Sequence, residues 1–259
     1  MDSIDNVQLT MNNEQLYENL RFPRFFVGRV ALGAPVILSG DDLHHATKVL
    51  RLKTGEKAVF CDDTGTDYIC EYVGADRFEI LAKRENDSEP KVYFRLFQCV
   101  PKGEKLDFIV QKVTELGVSE IIPVISKRCI SRPDKKSNKI QRLQKIAEAA
   151  AKQSGRGKIP LVHEFTSFND SLKLCKKENL GIIFYENGGK KLNEIVVGCD
   201  VKSAPVDIFI GSEGGFEASE IEAAVKAGLI TASLGKLILR TETAPVAAIA
   251  ILMNLTGEI

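Results

Sequence analysis

Two polar stretches in the C-terminal third of the chain carry residue types that could bind a small molecule. The first runs from Ile210 to Phe216 (IGSEGGF), and the second from Leu234 to Ala244 (LGKLILRTETA). Each follows an apolar, β-rich run and precedes a helix-like run. Ligands bind beside such turns, at the carboxyl ends of strands in open α/β sheets. Two such turns so close together predict one pocket built from two loops.

The first stretch combines glycines with a carboxylate. Gly211, Gly214 and Gly215 lack a Cβ, so the backbone can approach a ligand closely. A helix predicted to begin near Ala218 would direct its free amide groups back into the loop. The spacing matches neither the dinucleotide fingerprint nor the phosphate-binding P-loop. Glu213 favours a cationic or hydroxyl-bearing ligand over a naked phosphate, but spacing alone leaves a phosphate site, a nucleoside site and a plain turn open.

The second stretch places two opposite charges at the end of an apolar run. We predict a strand over Leu237–Leu239, followed by Arg240 and Glu242. Thr243 is predicted to cap the next helix, with Pro245 in its first turn. Arg240 and Glu242 either pair as surface ions or belong to a site, and their position beside a glycine loop favours a site.

Composition sets the frame for these loops. The chain has 259 residues, of which 44% are hydrophobic, so it can bury a sizeable core as one large or two small domains. Basic and acidic residues balance at 35 each, so the global charge does not favour a nucleic-acid partner. Six cysteines without a C-x-x-C pair predict buried, reduced thiols rather than disulfides or metal ligands. No apolar stretch is long enough to span a bilayer, so we expect a soluble, cytoplasmic protein without a membrane partner.

The pattern of apolar residues predicts an α/β protein of two parts. Residues 1–20 are polar and predict a disordered tail. Residues 21–84 contain short strands and one helix, capped by Ser39 with Asp42 three residues on, which together predict a small β-barrel. A polar linker follows. Residues 90–259 alternate between strands and helices, which predicts a mainly parallel sheet with helices on both faces.

One segment of this neutral chain is strongly basic. Residues 127–158 contain eleven lysines or arginines against two acids. Such a patch predicts contact with RNA phosphates and binding that weakens as salt rises. The alternative is a solvated basic loop and helix face.

The three histidines do not suggest a metal site. His44 and His45 are neighbours on a predicted helix and point about 100° apart, so they cannot chelate one ion side by side. We expect one to pack and the other to face solvent or RNA. His163, alone after a strand, is expected to be a structural histidine with a satisfied hydrogen bond.

The order of motifs along the chain resembles the SPOUT methyltransferases. More narrowly, it resembles the family that methylates N3 of a uridine in 16S ribosomal RNA, often called RsmE. The resemblance covers most of the chain. Besides the two loops it rests on Arg24-Phe-Phe, His44-His45 with Val49-Leu-Arg51, Lys102-Gly103, Lys112 to Gly117, Lys127 to Cys129, and Glu148 to Arg156.

This resemblance implies a PUA-like RNA-binding β-barrel over residues 21–84 and a SPOUT domain over 90–259 with a C-terminal trefoil knot. Knotted chains are rare exceptions to the rule that connections do not thread loops. It also implies S-adenosylmethionine as cofactor, 16S ribosomal RNA or the small ribosomal subunit as partner, and a homodimer. The implied cofactor-binding residues are Tyr185, Glu186, Ile210, Gly211, Glu213, Gly214, Leu234, Gly235, Leu239, Arg240, Glu242, Thr243 and Ala244. The RNA-binding candidates are Arg24, His45, Arg51, Lys127, Arg132, Lys135, Lys136, Arg142, Gln153, Ser154 and Arg156.

Three features depart from the family pattern. Ser212 stands where proline is usual, which loosens that turn without removing a glycine. Leu143 stands where a tryptophan is common, so an aromatic contact is not expected there. The polar extension at residues 1–20 has no counterpart.

Methyl transfer to uridine N3 depends mainly on positioning, because the attacking atom must lie in line with the S–CH3 bond. N3 carries a proton at neutral pH. Either a guanidinium stabilises the resulting anion, with Arg240 and Arg128 as candidates, or a carboxylate, Glu115 or Glu242, acts as base. The residues leave both routes open. The target base must leave its stack, which favours a single-stranded site.

Rival functions make distinct predictions. A dehydrogenase or kinase would need a nucleotide fingerprint that the chain lacks. A non-catalytic RNA-binding protein with a decayed pocket would not need the intact glycines. A SPOUT enzyme acting on another RNA position, or on transfer RNA, would use the same pocket.

Overall fold

A computed structural model of the chain describes residues 22–62, 64–130, 136–197 and 204–259, without the side chains of residues 136 and 137. The predicted tail and Cys199 lie outside these ranges. The chain divides into two compact units. The first ends at Glu89 and also includes Lys152–Lys158, and the second comprises Pro90–Ala151 and Ile159–Ile259.

The first unit is built on a five-stranded sheet with the strand order β1-β3-β4-β5-β2. Its strands are β1 (Arg24–Phe26), β2 (Val36–Ile37), β3 (Lys57–Cys61), β4 (Thr66–Gly74) and β5 (Arg77–Glu85). Strand β1 pairs parallel to β3, and the other pairs are antiparallel. Phe25, Phe60 and Phe78 are fully buried and stack in series at the centre of its core. The short strands predicted for this unit are confirmed.

The helical segment of the first unit differs in detail from the prediction. Helix α1 (Gly40–His44) continues directly into a π-helix over His45–Val49. Ser39 occupies the N-cap position, but its side chain makes no capping hydrogen bond, so the predicted capping box is wrong. The carboxylate of Asp42 instead accepts a hydrogen bond from Lys152 Nζ at 2.8 Å.

The second unit contains an eight-stranded sheet in which every recorded pair is parallel, which confirms the predicted class. The strand order is β11-β13-β10-β12-β6-β7-β8, and β9 also pairs with β7. The strands are β6 (Phe94–Cys99), β7 (Glu120–Ile125), β8 (Leu161–Val162), β9 (Thr166–Ser167), β10 (Leu180–Phe184), β11 (Lys190–Lys191), β12 (Val206–Ile210) and β13 (Ile230–Ser233). Strand β12 lies at the centre and is buried along its whole length.

Six helices accompany this sheet, and their apolar sides supply the core. They are α2 (Lys105–Glu115), α3 (Lys136–Ser154), α4 (Phe168–Leu174), α5 (Leu192–Val197), α6 (Ala218–Lys226) and α7 (Thr243–Thr256). Helix α2 buries Leu106, Ile109 and Val113 at the predicted spacing, and Gly117 follows it with a φ of 88°. A positive φ at this position is the usual glycine signal for a helix end.

The predicted strand over Leu237–Leu239 is wrong. These residues are irregular, and the side chains of Leu237 and Ile238 are 81% and 87% exposed. The place in the sheet beside β10 is taken by β13, which also pairs with β11. An apolar run becomes a strand only where a neighbouring strand offers a hydrogen-bonding edge, and this run has none among the described residues.

The cysteines behave as predicted where the structure describes them. Cys61, Cys70, Cys99 and Cys129 are buried free thiols, and Cys175 is a half-buried one. Within the same ranges, no helix is both long and apolar enough to cross a membrane.

Candidate active site

A cavity of about 620 Å³ lies in the second unit, where the two loops singled out in the sequence meet. Its wall is formed by the ends of β10, β12 and β13 and by the loops that follow them. The lining residues are Lys105, Phe184 to Glu186, Ile210 to Gly215, Ala232 to Thr241, and Ala244. The structure thus brings the two loops into one pocket, as predicted.

The first loop is fixed at both ends. It leaves the buried carboxyl end of β12 and turns back on itself, with the Gly215 amide donating to the Ser212 carbonyl at 2.9 Å. Helix α6 then begins at Ala218 with a reciprocal capping box between Glu217 and Glu220. Glu220 also accepts a hydrogen bond from the Lys127 amide at 2.9 Å. A capping box satisfies two of the free amides of a helix start, so this end of the loop is held firmly.

The glycines of this loop are required by the loop itself. A Cβ on Gly211 would lie 3.0 Å from the Cα of Gly215, and one on Gly214 would lie 3.1 Å from the Cβ of Arg128. Gly215 has a φ of 66°, and a Cβ there would lie 2.6 Å from a carboxylate oxygen of Glu186. The sequence predicted that these glycines allow a ligand to approach closely. The structure adds that neighbouring residues lie close enough to each glycine to crowd a larger side chain.

A pair of buried polar side chains joins the second loop to the first. Thr241 Oγ1 donates to the Gly211 carbonyl at 2.8 Å, and Gln98 Nε2 donates to Thr241 Oγ1 at 3.3 Å. Both side chains are buried, Gln98 completely. Hydrogen bonds shielded from water hold their partners more firmly than exposed ones. The two loops therefore share one anchor at the carboxyl end of β6.

Lys105, which begins α2, makes an ionic link between the same loops. Its Nζ lies 3.0 Å from Glu213 Oε1 and 3.3 Å from Glu242 Oε2. The Lys102 amide also donates to Glu213 at 3.1 Å. Arg240 and Glu242 therefore do not pair as surface ions. Lys105 is a site residue that was not predicted from the sequence. Its position beside the Lys102-Gly103 motif was the signal that could have identified it.

These contacts set the protonation of the ionic link. Burial by itself raises the pKa of Glu213, but hydrogen bonds from its own amide and from Lys105 outweigh that effect and lower the pKa below its usual value. The hydrogen bond to Glu213 likewise raises the pKa of Lys105. The negative charge of Glu213 is therefore balanced by Lys105. Glu186, in contrast, lines the cavity without an ion pair among the described residues.

Three of the four catalytic candidates, Arg240, Arg128 and Glu115, lie in different surroundings. Arg240 lines the cavity, is exposed, and its guanidinium has no hydrogen-bond partner within the described parts of the chain. Arg128 Nη1 donates to the Gly214 carbonyl at 2.9 Å, so this side chain braces the first loop. Glu115 pairs with Lys112 at 2.8 Å and lies outside the lining.

Eleven of the thirteen predicted cofactor-binding residues line the cavity, and Glu242 and Thr243 do not. Glu242 is the N-cap residue of α7 and makes no side-chain capping bond. Thr243 is the first residue of α7, so its predicted capping role is wrong. Thr241, buried and bonded to Gly211, is the polar residue of this loop that the sequence argument passed over.

The segment beside the glycine loop contains a polar cluster of its own. Ser212 Oγ lies 3.4 Å from the Arg128 carbonyl, a contact that the family's usual proline cannot make. Cys129 accepts a hydrogen bond from the Ser126 amide at 3.4 Å. A hydrogen bond from Cys99, with help from Ser126 and against the effect of burial, lowers the pKa of Cys129 to about 6. Burial raises the pKa of the Cys99 thiol, so Cys129 is the first of the two to ionise.

Two of the predicted RNA-binding arginines are structural. Arg24 is 8% exposed and makes a bidentate pair with Asp67 at 2.5 and 2.9 Å. Arg156 is 3% exposed and binds Glu89 through Nε at 3.1 Å and Nη2 at 2.8 Å. A buried guanidinium with both edges occupied cannot reach a phosphate, so these two predictions are wrong.

The remaining RNA-binding candidates divide by exposure. Lys127 lies 3.3 Å from Glu217, and Arg142 pairs with Asp107, although both cations stay accessible. His45, Arg51 and Gln153 are exposed, and Ser154 is half-buried. Arg132 and Lys135 lie outside the described residues, as does the side chain of Lys136.

The histidines follow their predicted roles in part. His44 and His45 are both exposed, and the ring of His45 meets Phe25 edge-on with centroids 6.2 Å apart. His163 Nε2 lies 2.7 Å from Glu120 Oε2, which confirms a structural histidine with a satisfied hydrogen bond.

Comparisons with known proteins agree with this geometry. The family model described as an RNA methyltransferase domain matches residues 88–253, and an RNA methyltransferase PUA domain matches residues 38–83. The ribosomal RNA small subunit methyltransferase E of Bacillus subtilis is 34% identical over 82% of this chain and 87% of its own.

Solved structures extend the likeness to the whole described fold. The ribosomal RNA small subunit methyltransferase E of Neisseria gonorrhoeae, bound to S-adenosyl methionine, superposes with a TM-score of 0.84 and 33% identity, covering 90% of this chain and 98% of that one. A putative methyltransferase from Legionella pneumophila, also with the bound cofactor, gives a TM-score of 0.81 and 29% identity over 90% and 98%.

Proposed function

This chain belongs to the ribosomal RNA small subunit methyltransferase E family, and we propose that it methylates N3 of a uridine in 16S ribosomal RNA. It is an S-adenosylmethionine-dependent methyltransferase of small-subunit ribosomal RNA. The position on the base is the step that we add. The observation that supports it is the cavity formed by the two loops, whose wall contains the guanidinium of Arg240, unpaired within the described part of the chain.

The cavity fits the cofactor. Its volume of about 620 Å³ is within the usual range for a small-molecule site. The side chains of Phe184 and Ile210 are buried in the lining and offer an apolar surface to a purine. Glu186 supplies an uncompensated carboxylate for the cationic end of the molecule, since Glu213 is already neutralised by Lys105. The glycine loop leaves backbone groups accessible between these two features.

S-adenosylmethionine supplies an electrophilic methyl group when it is bound. The task left to the protein is to present N3 without its proton. The N3 proton passes to solvent water as the anion forms, and Arg240 stabilises that anion on the pyrimidine, because its guanidinium has no competing partner among the described residues. Glu242 and Glu115 are less suited to act as bases, since their carboxylates are already paired with Lys105 and Lys112. Arg128 acts by bracing Gly214.

The first unit supports contact with RNA. Its π-helix, His45–Val49, is followed by Arg51 with a φ of 57°. A π-helical turn and a positive φ at a residue other than glycine are both energetically costly, and both are found preferentially at functional sites. The side chains of His45, Lys48 and Arg51 are exposed in this segment, which lies inside the matched PUA domain. We assign this segment to phosphate contact.

We also propose a trefoil knot at the cofactor loops, a homodimer, and action in the cytoplasm, where small ribosomal subunits assemble. The exposed side chains of Phe108 and Ile251 support a subunit interface. They are 46% and 41% exposed on α2 and α7, two helices that pack together. Sedimentation at micromolar concentration should give the mass of two chains, and a single chain would contradict the dimer.

Mass spectrometry of methylated RNA tests the proposed position. Small subunits lacking the modification are incubated with the protein and S-adenosylmethionine, digested to nucleosides, and compared with a 3-methyluridine standard. We expect 3-methyluridine from 16S RNA. A different methylated nucleoside, or methylation of transfer RNA alone, would move the enzyme to another target. No methylation of either RNA would favour a non-catalytic RNA-binding protein.

A further inference from the structure

The first unit contains a second cavity, of about 590 Å³, that does not involve the π-helix. It lies where β4 begins and β5 ends, beside the loop that follows α3. Its lining includes Thr64, Thr66, Lys83, Arg84 and Lys158. The site is polar, and every part of it belongs to the first unit. We name it the hairpin groove.

We propose that the hairpin groove binds the sugar–phosphate backbone of the substrate RNA, with one phosphate at Lys83 and the next at Lys158. This inference rests on the proposed function, because it takes RNA as the substrate. It adds a second RNA contact that is separate in sequence from His45 and Arg51.

Two buried acids, Asp62 and Asp67, lie beneath the groove, and Asp62 accepts hydrogen bonds from the lining residues Thr64, Thr66 and Tyr68. Asp67 is fully buried and accepts hydrogen bonds from Arg24, Arg84 and Asn86. These hydrogen bonds and the charge of Arg24 lower the pKa of Asp67, although burial alone raises it. Arg24 and Arg84 together balance the charges of Asp67 and Asp62. The floor of the groove is therefore neutral overall, and the cations of its rim decide which ligand it attracts.

The loop that carries Lys158 is fixed in place over the groove. Glu89 accepts hydrogen bonds from the Arg156 side chain and from the amides of Gly157 and Lys158, the last two at 2.9 and 3.0 Å. The Lys158 side chain then passes over the turn at Gly65, with its Cε 3.7 Å from where a Cβ would stand. Fixing the backbone lowers the entropy lost when the lysine meets a ligand.

The rim of the groove carries cations with no partner of their own. Lys83 and Lys158 are exposed, and neither ammonium group has an ion pair among the described residues. Glu85 is the unpaired acid of the described lining. Paired lysines beside hydroxyl groups suit a phosphodiester, which carries one negative charge per nucleotide and is contacted by lysine and threonine side chains.

The test measures RNA affinity as a function of salt for the double variant Lys83→Ala/Lys158→Ala. The ligand is a fragment of 16S RNA that the wild-type protein methylates. Loss of two phosphate contacts should reduce affinity about tenfold and lower the slope of log K against log salt by about 1.4, at roughly 0.7 per contact for single strands. Affinity for S-adenosylmethionine and the melting temperature should not change.

Arg77→Ala is the matched control. Arg77 is an exposed cation at the opposite end of the same strand, roughly 20 Å from Lys83. Its removal should leave both the affinity and the salt slope unchanged. Equal losses of RNA affinity in the control and in the double variant would contradict the assignment of the groove as an RNA site, because they would show a non-specific effect of charge.

The groove and the proposed function fail in different ways. If the wild-type protein methylates the fragment and the double variant binds it with unchanged affinity and slope, the groove is wrong and the enzyme activity stands. If the wild-type protein neither binds nor methylates any fragment of 16S RNA, no such ligand exists and the proposed function fails. Polyglutamate serves as a competitor. If polyglutamate displaces RNA from the wild-type protein but not from the double variant, the groove binds acidic polymers in general, and the RNA assignment is wrong.

Discussion

At the scale of single residues, the environment of each cation decides its role. Arg24, Arg156 and Arg240 look equivalent in the sequence. Two of them are buried against carboxylates, and one lines a cavity without a partner among the described residues. An arginine with a satisfied, buried guanidinium is part of the scaffold. Only Arg240 is then available to stabilise charge that develops during the reaction.

Replacing Arg240 tests this assignment. Arg240→Ala should lower kcat by roughly 10²- to 10³-fold, the usual effect of removing one group that stabilises a developing anion. Affinity for RNA should change much less, and Arg240→Lys should restore part of the rate. Lys236→Ala removes another exposed cation from the same lining and serves as control. Similar rates for Arg240→Ala and the wild type would contradict a catalytic role.

The buried pair of Arg24 and Asp67 makes a prediction about stability. Arg24→Ala should destabilise the first unit by up to about 3–5 kcal/mol, because the buried carboxylate of Asp67 loses its bidentate partner and keeps only Arg84 and Asn86. Arg29→Ala, at an exposed arginine nearby in sequence, should have little effect. Chemical denaturation measures both. Equal stability of the two variants would mean that the pair does not hold the unit together.

The same pair predicts a pH dependence. Hydrogen bonds from Arg24 lower the pKa of Asp67 in the folded protein, against the opposing effect of burial. Stabilisation by Asp67 is therefore complete above the pKa of an unfolded aspartate and is lost as the pH falls through the lower, folded pKa. Acid unfolding of the Asp67→Asn variant should depend less on pH over that window than acid unfolding of the wild type.

At the scale of elements, close packing around the first loop makes its glycines irreplaceable. Gly211→Val should reduce S-adenosylmethionine affinity below detection by calorimetry, because its Cβ would lie only 3.0 Å from the Cα of Gly215. Gly214→Val should weaken binding by displacing Arg128. Gly28→Ala, which has open space around it, is the control. Normal cofactor affinity in Gly211→Val would remove the pocket assignment.

Local patterns predicted the elements that bury a continuous apolar face. Helix α2 and strand β12 belong to the predicted alternation of strands and helices, because their apolar spacing matches the period of the element. The strand predicted over Leu237–Leu239 is wrong for a physical reason. These apolar residues lie in the cavity loop, where Leu237 and Ile238 are exposed, and not in a sheet. Strand β13, with mixed polarity, depends on pairing with β10, which sequence alone does not reveal.

Capping residues show the same limit. Ser39 and Thr243 have the right type for a helix start, yet neither caps one. The Asp42 carboxylate is drawn away by Lys152, more than a hundred residues along the chain. Long-range competition of this kind overrides a local preference worth about 1 kcal/mol.

At the scale of the whole molecule, the first unit is not one continuous stretch of sequence. The predicted linker at residues 84–90 agrees with the end of the first unit at Glu89, but Lys152–Lys158 also belongs to that unit. This segment supplies Arg156, which pairs with Glu89. The basic segment in the sequence is therefore divided between structural pairs and free cations, and only the free ones remain candidates for RNA.

Charge reversal in the middle of that segment tests whether the free cations bind RNA. Arg132→Glu, Lys135→Glu and Lys136→Glu together should weaken RNA binding and flatten its salt dependence, because fewer counterions are released. Cofactor affinity should be unaffected. Unchanged RNA affinity in this triple variant would show that this part of the chain does not face the substrate.

The most direct measurement is the transfer of a labelled methyl group from S-adenosylmethionine to small ribosomal subunits, by the wild-type protein and by Gly211→Val. Circular dichroism and melting of the variant first establish that it is folded. We predict that the wild-type protein labels 16S RNA and that the variant does not. No label with the wild-type protein, or equal label with both proteins, would contradict the assignment of the two-loop cavity as the site of methyl transfer.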